Sequence, residues 1–580
     1  MHRGAPHAPR PQSHNKVTGK IPSHGENIRI IPLGGVEEVG KNMTVIEIGQ
    51  DIIVVDAGLQ FRTAETPGID YIIPNTKYLE ERKDRVRAMI ITHGHLDHIG
   101  AIPYIMEKIG NPPLYSRELT TIMIKKRQEE FPQLKPLNIK VVERDEKIKV
   151  GSLNIKFFGV THSIPDAMGI LIETSYGNIV CTGDLRVDNN NGVPTEEEEA
   201  AYGLLSKEKN LVLLADSTNA ENPGFSLSER LVLENIEQVI RDAKGRLIIG
   251  TFASQLQRIM EILKILEGLG KKVIIEGRSM KSNIEIVQKM NMIKLQPGTI
   301  IPVDEVDNYP DSRIVVIATG SQGEEFAAIM RMSNKTHKYF RVKKGDTVLL
   351  SSSIIPGNEM GVQKIKDNLS RQGAKIVSYR ISQIHASGHA NKDELAWIHR
   401  KIGAKFFIPI HGYHYMLSTH ADIAKSTGTL EENVVIPDNG LVIEIKDKGE
   451  KIFALKERAP ASPVMVDGFS VGDVQDVVIR DRQMLAQDGM FVVIATVDSN
   501  TGRLKKSPDL ISRGFVYLKE NQELLQQSRL IIKRTVETGA QGQKPIDFDY
   551  IKANLTDQVA KFLFQKTAKR PLVIPVILSV

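Results

Sequence analysis

The sequence predicts a layered α/β fold that carries an inserted second α/β domain and a small α+β domain at the C-terminal end. Three observations predict it. From residue 27 to 226, short apolar runs alternate with Gly-rich turns, as strands joined by tight turns do. From 227 to 380, strand-length apolar runs alternate with helical patterns, the signature of βαβ units and a parallel sheet. From 467 to 580, strand-like runs enclose two long helical patterns. The 580 residues exceed what one core supports, so several domains are expected. With 41% hydrophobic and 25% charged residues, the composition excludes a collagen-like chain, a largely disordered chain and a disulfide scaffold.

Residues 1–26 are rich in Pro, Gly, His and basic side chains and hold almost no large apolar ones. Such a segment buries too little surface to offset its ordering entropy, so a disordered basic arm is expected. It reads as a solvated tail, with non-specific contact to RNA as the second reading. It lacks the apolar run of a signal peptide, and no apolar run in the chain reaches the length of a membrane span. The single cysteine, Cys181, excludes an intrachain disulfide and fits a reducing compartment, so a cytoplasmic protein with no membrane partner is expected. The net charge of +6 permits a polyanionic partner without establishing one.

The strands of 27–226 read as IRIIPLGG, MTVIEIG, DIIVVDAG, RAMIIT, LNIKFFGV, GILIETS, NIVC and NLVLLADST, with a helical pattern in AIPYIMEKIG. The run EEEEA at 196–200 reads as a solvated loop or helix start, set away from a polyanion. In 227–380, SLSERLVLENIEQVIRDA reads as a helix with a Ser cap and a Glu three residues on. RLIIG, KKVIIEG, RIVVIATG and DTVLLSSS follow as strands, with helices between them. Residues 381–448 return to the first texture with AKFFIPIHG and GLVIEI. The charged stretch and APASP of 449–466 read as a linker. In 467–580, MFVVIATVD and PLVIPVILSV read as strands.

His93-Gly94-His95-Leu96-Asp97-His98 is the most informative segment. It places three imidazoles and a carboxylate on a loop rooted in a buried strand, where they can converge on one point; a continuous helix would scatter them. Imidazole with carboxylate suits Zn²⁺, with Mn²⁺ as the alternative. The plain reading is a solvated polar loop. Thr161-His162-Ser163, Thr182-Gly183-Asp184 and Ile410-His411-Gly412 each end a strand. Strand ends commonly present functional residues, although each of these alone reads equally as a hydrogen-bonded terminus.

This series of motifs resembles the metallo-β-lactamase superfamily, whose fold is an αββα sandwich. The resemblance implies that His93, His95 and His162 hold one metal, that Asp97, His98 and His411 hold a second, and that Asp184 bridges them. Two divalent ions sharing a water lower its pKa, and their net positive charge suits an anionic ester. Asp56 resembles the superfamily's supporting aspartate, set behind a ligand; a turn aspartate is the other reading. More than 220 residues separate Asp184 from His411. This insertion resembles the β-CASP domain of the nucleic-acid-processing branch. The run Ala215-Asp216-Ser217-Thr218, residues 385–390 (HASGHA) and residues 409–412 (PIHG) are similar to that branch's motifs, with Asp216 in a supporting position.

From residue 28 onward the chain resembles bacterial ribonuclease J, on IIPLGGVEEVGKNM, THGHLDHIGAIPY, HSIPDAMG, TGDLRVD, ADSTNAENPG, TFASQLQR, ATGSQGE and HASGHA. That resemblance implies a metal-dependent ribonuclease acting on single-stranded RNA in RNA processing and decay. It would combine 5′-to-3′ exonuclease activity, favouring a 5′-monophosphate, with endonuclease activity, and would form a homodimer or homotetramer. Catalytic roles fall to Asp97, Asp184 and His389, with His389 as general acid; a His that only hydrogen-bonds a phosphate is the alternative. His385, Ser387 and Gly388 would hold a terminal phosphate, or form a turn in which Ser387 or Asn391 caps the following helix. Ser254 and Arg258 open a helix, Arg278 and Ser279 follow a strand, and Ser321 and Gln322 lie in a Gly-rich turn. Each could contact RNA and each also reads as an ordinary cap or turn. Trp397 reads as core. The rival functions are another β-CASP nuclease, including one acting on DNA, and a non-catalytic partner subunit. The intact ligand set argues against the second.

Overall fold

The structure is a computed structural model that describes residues 21, 25–62, 66–320, 327–354, 358–468, 470–472, 476–516, 521–541 and 545–580. Most of the N-terminal arm, together with Ser321 and Gln322, lies outside them. The chain divides into two compact units, one of residues 1–60 and 73–463, the other of 61–72 and 464–580.

The larger unit is built on two facing sheets. One has eight strands, in the order Lys451–Arg458, Leu441–Lys446, Ile28–Gly34, Met43–Ile48, Asp51–Val55, Val86–Ile90, Leu114–Ser116 and Ile139–Val141. The other has six, in the order Phe406–Ile410, Asn210–Asp216, Asn178–Cys181, Met168–Glu173, Leu153–Gly159 and Lys147–Val150. Alternation along the strands builds two cores. Ile170, Ile172 and Ile179 join Ile30, Ile46, Ile53 and Ile90 between the sheets. Leu171, Val180 and Leu213 point the other way, onto Tyr202, Leu395, Trp397 and Ile398 of the covering helices. This is an αββα sandwich, and Trp397 is core.

The insertion carries a five-stranded, wholly parallel sheet in the order Lys272–Glu276, Ile314–Ala318, Leu247–Gly250, Thr347–Leu350 and Lys375–Ser378. Helices Glu229–Asp242, Leu256–Gly268 and Arg278–Lys289 cover one face, and Ala328–Ser333 and Glu359–Arg371 the other. Both faces are buried, which is why its strands read as unbroken apolar runs.

The smaller unit centres on strand Met490–Val497, antiparallel to Asp509–Arg513 and parallel to Leu572–Ser579. Helices Gln522–Ala540 and Phe548–Thr567 pack Ile532, Val536, Leu555 and Val559 onto Phe491, Val493 and Ala495. No helix among the described residues is long and apolar enough to cross a membrane.

Two local expectations are corrected. The segment read as a linker contains Lys451–Arg458, an edge strand antiparallel to Leu441–Lys446. An edge strand with a solvated face carries the charged residues that made it look like a connector. The Ser cap with a Glu three residues on does not form a capping box at Ser226 and Glu229. Ser228 caps that helix through the Leu231 N–H, and Glu229 pairs with Arg258. The capping box forms instead at Asn391 and Glu394. The EEEEA run is the first turn of helix Glu196–Leu205, capped by Thr195, where acidic side chains face the positive end of the helix dipole.

Candidate metal centre

The metal-ligand motifs meet at one end of the sandwich. Strand Val86–Ile90 delivers the 93–98 loop, Asn178–Cys181 delivers Asp184, Asn210–Asp216 delivers Asp216, and Phe406–Ile410 delivers His411. His162 follows strand Leu153–Gly159.

Two ligand sets share Asp184. In the first, Nε2 of His93 and of His162 lie 3.0 and 3.3 Å from His95 Nδ1, and 3.8 and 3.9 Å from Asp184 Oδ2. In the second, His98 Nε2 lies 3.2 Å from Asp184 Oδ1 and 3.5 Å from Asp97 Oδ2, and His411 Nε2 lies 3.4 Å from Asp97 Oδ2. Ligand atoms about 2.1 Å from one tetrahedral ion sit about 3.4 Å apart, close to these spacings.

Three observations test whether a cation fits. Asp184 Oδ1 is buried and accepts no hydrogen bond among the described residues. Asp56, Asp97, Asp184 and Asp216 make ion pairs with imidazoles and with no Lys or Arg among the described residues. Their charge therefore has no fixed counter-charge, and a buried carboxylate demands one. Third, the back of each imidazole is already committed. His98 Nδ1 donates to Asp56 at 2.8 Å, His162 Nδ1 to the Gly388 carbonyl at 2.7 Å, and His95 Nε2 faces the Ser254 carbonyl at 3.4 Å. Such bonds fix the tautomer and aim the other nitrogen inward. The residues fit a divalent pair.

Electrostatics follow the same division. Burial drives His93 and His95 below the ordinary imidazole value and His162 down to about 3, leaving these rings neutral. Burial opposes charge on His98 and His411 too, but the surrounding aspartates, Asp184 foremost, outweigh it and hold both well above their ordinary value. Against its own burial, Asp97 is held low by His98 and His411.

Asp216 stands behind the second set. Its Oδ2 lies 2.7 Å from His389 Nδ1, and its Oδ1 accepts from the Thr218 hydroxyl and lies 3.2 Å from His411 Nδ1. Burial lowers the His389 pKa and Asp216 raises it, with a net upward shift. His389 stacks on His411 at 5.4 Å between ring centroids. Both Asp56 and His411 adopt left-handed backbone, with φ of 62° and 54°. That conformation costs a non-glycine residue about 1–3 kcal/mol and is found where geometry at a site is imposed.

A small recess beside the first set is lined by His162, Ser163, Arg186, Glu229, Gln255 and Ser387. Arg186 is 5% exposed and its Nε has no hydrogen-bond partner among the described residues. Gly388 is obligatory here, since a Cβ would stand 2.7 Å from His162 Cε1.

The expected RNA contacts divide. Ser387 and Gly388 reach the centre, and Ser254 reaches it through its carbonyl. Arg258 does not present its charge to solvent. It is 1% exposed, paired with Glu229 through two nitrogens, and bonded to the Ala386 carbonyl at 3.0 Å and His385 Nδ1 at 2.9 Å. His385 is buried with it, also bonded to the Ser351 backbone, and pushed down to about 3 by burial and Arg258. A helix-opening Arg beside an acidic helix start is drawn into an ion pair, and the imidazole is consumed by it. Arg278 and Ser279 are exposed on a separate pocket of about 740 Å³ that shares no lining residue with the metal centre.

Sequence reasoning gave no role to Asn42, Gly58, Thr92 or Arg186, and named Thr218 only within the motif that holds Asp216. Asn42 accepts the Gly58 N–H on its carbonyl and donates its own N–H to Asp97 O, and Thr92 donates to Asp56. The strand-end position of Thr92 and Thr218, each beside a singled-out residue, was the available signal.

Four family models match the chain: the metallo-beta-lactamase superfamily over 36–221, the ribonuclease J beta-CASP domain over 244–369, the Zn-dependent metallo-hydrolase RNA specificity domain over 376–437, and the ribonuclease J C-terminal domain over 477–580. Ribonuclease J2 of Bacillus subtilis (strain 168) is 36% identical over 558 residues, covering 96% of this chain and 99% of that protein. Ribonuclease J 2 of Staphylococcus aureus (strain NCTC 8325) is 36% identical over 557 residues with the same coverage. A crystal structure of a protein of unknown function from Enterococcus faecalis V583 shares the fold, with a TM-score of 0.51 and 17% identity over 74% of this chain and all of that one. With its buried His/Asp cluster suited to divalent metal, the chain belongs to the ribonuclease J family of metal-dependent ribonucleases.

Proposed function

We propose that the chain hydrolyses single-stranded RNA at a dinuclear centre, from a 5′-monophosphorylated end and also at internal positions. His93, His95 and His162 would hold one ion, Asp97, His98 and His411 the other, with Asp184 between them. Zn²⁺ suits this imidazole-rich set best, and Mn²⁺ is the alternative. When bound, such ions act as Lewis acids and make water a nucleophile at neutral pH.

The protein's own residues do the rest. Asp56 and the Gly388 carbonyl aim His98 and His162. Asp216 favours the protonated form of His389 and fixes Nδ1, leaving Nε2–H to donate its proton to the departing 3′-oxygen. Thr218 and Asp216 together hold His411. The observation that carries the terminal-phosphate reading is Arg186, a buried guanidinium whose Nη1 lies 3.5 Å from Glu229 and whose Nε is unused, in a recess shared with Ser387 and next to His162. A dianionic 5′-phosphate would satisfy it. Arg258 also lines the recess, with His385 bonded behind it. A homodimer or homotetramer in the cytoplasm completes the proposal.

End-labelled RNA with 5′-monophosphate or 5′-triphosphate tests it. Faster release from the monophosphate is expected, and equal rates would overturn the pocket. His95→Ala should abolish cleavage; undiminished activity would overturn the metal-ligand assignment. Metal analysis of the purified protein decides between Zn²⁺ and Mn²⁺, and sedimentation decides the assembly.

A further inference from the structure

The segment after His411 reads Gly412-Tyr413-His414-Tyr415, and both tyrosines face solvent, 40% and 49% exposed. Their rings are nearly parallel, at 5°, with centroids 6.2 Å apart. Among the described residues they are the only two exposed aromatic rings that lie parallel to one another.

Their support is firm. Tyr413 is the N-cap of helix His414–Ser426, and its carbonyl accepts from the Met416 and Leu417 N–H groups. Gly412 is bonded on both sides, to Gly35 and Glu38. The pair is therefore tied to the loop that carries a metal-set histidine. Two residues span at most about 7 Å, so Tyr413 stands within one or two nucleotides of the reacting centre. The polar groups beside the pair do not suit phosphate. Glu37 lies 3.8 Å from His414, and Glu221 acts on Tyr415 through space. Flat, exposed aromatic rings offer a stacking surface to any base, whatever its identity.

We infer that Tyr413 and Tyr415 form a stacking platform for bases of the single-stranded RNA next to the scissile phosphate, without choosing among base identities. The inference rests on the single-stranded RNA reading above. The test uses the full chain with bound metal and a fluorescent single-stranded RNA. Tyr413→Ala/Tyr415→Ala should raise KM about 5- to 100-fold, the range seen for removing a stacking aromatic, with a smaller change in kcat. Tyr413→Phe/Tyr415→Phe should restore it. Moving a single abasic site through the nucleotides flanking the cleaved bond should raise the wild-type KM at one or two positions, and the Ala variant should be indifferent there. Metal content and melting temperature check that the variants are intact. An Ala variant with unchanged KM, or one whose sensitivity to abasic sites matches the wild type, would overturn the platform. Wild-type protein that cleaves no RNA would instead overturn the reading on which it rests.

Discussion

Gly58→Ala tests how the second ligand set is held. A Cβ at this position would stand 1.6 Å from the Asp97 carbonyl oxygen, 2.2 Å from its carbon and 2.7 Å from Asn42 N. Ordinary contact begins at 3.4 Å, so one side must retreat by 3.4 − 1.6 = 1.8 Å. Metal sites tolerate ligand displacements of about 0.2 Å. Neither side can yield harmlessly. The 93–98 loop is pinned by Ala57 N–H to His98 O at 2.8 Å, Leu59 N–H to Leu96 O at 3.0 Å and Asn42 N–H to Asp97 O at 3.0 Å. If that loop moves, Asp97 leaves the set. If residues 56–59 move instead, Asp56 leaves His98 Nδ1, now 2.8 Å away. Losing a single supporting bond weakens metal affinity about 10–100-fold, and displacing a ligand as well should bring about 100-fold or more. Competition with a chromophoric chelator should therefore find two tight equivalents in the wild type and one in Gly58→Ala, with far-UV circular dichroism unchanged. Two equivalents within threefold of wild-type affinity would refute the reasoning.

Gly388→Ala should act on the other set, pushing His162 off its carbonyl partner and weakening the first equivalent about 10–100-fold by the same titration. Arg258→Ala should destabilise by about 1–3 kcal/mol in urea unfolding, since it removes two charge-assisted bonds to Glu229 and leaves Arg186, 3.5 Å away, as that carboxylate's remaining cation, while leaving the salt dependence of RNA binding unchanged. A reduced salt slope would return Arg258 to the RNA surface. Stability should also fall in mild acid. Burial depresses His399 to about 4, so the unfolded chain takes up its proton first; the contribution is complete above pH 6.5 and is lost as pH falls toward 4. Its full size is about 3 kcal/mol, and His399→Gln should flatten the pH dependence of urea midpoints by part of that.

The sandwich and the metal motifs were legible because both rest on local pattern. Apolar runs bounded by turns, such as Met168–Glu173, mark the strands, and a candidate strand-end ligand declares itself by its residue type beside such a run. What was not legible depends on partners far along the chain. Nothing local says that Arg258 meets Glu229 and His385, so its charge read as available when it was spent on burial. Arg186 was overlooked for the converse reason: its unused Nε is visible only once Glu229 and Ser387 stand around it. The edge strand Lys451–Arg458 was missed because its exposed face carries the composition of a linker. Gly58 acts through close backbone approach to Asp97, a role that leaves no trace in residue chemistry, and Asn42 reaches the Asp97 carbonyl, 55 residues on, with both its backbone N–H and its side-chain amide.

These long-range partners give the insertion a physical role in the metal centre. His162 is aimed by Gly388, 226 residues away, and His411 by Thr218, 193 residues away, so each set takes its final orientation from chain on the far side of the inserted domain. His95 meets the Ser254 carbonyl, which belongs to the insertion itself. A sandwich without its insertion would carry the same imidazoles, but His95 would lose its contact with the Ser254 carbonyl. The first set thus meets the second α/β domain at His95, and the recess holding Arg186 and Ser387 is closed by Gln255 and Glu229 of that same domain. On the proposed function, metal orientation and terminal-phosphate recognition would therefore depend on one docking event. A substitution that loosens the two domains, such as Arg258→Ala through Glu229 and Ala386, should weaken the first metal equivalent and the preference for a 5′-monophosphate together while sparing the second equivalent. Loss of one without the other would separate the two functions that the geometry joins.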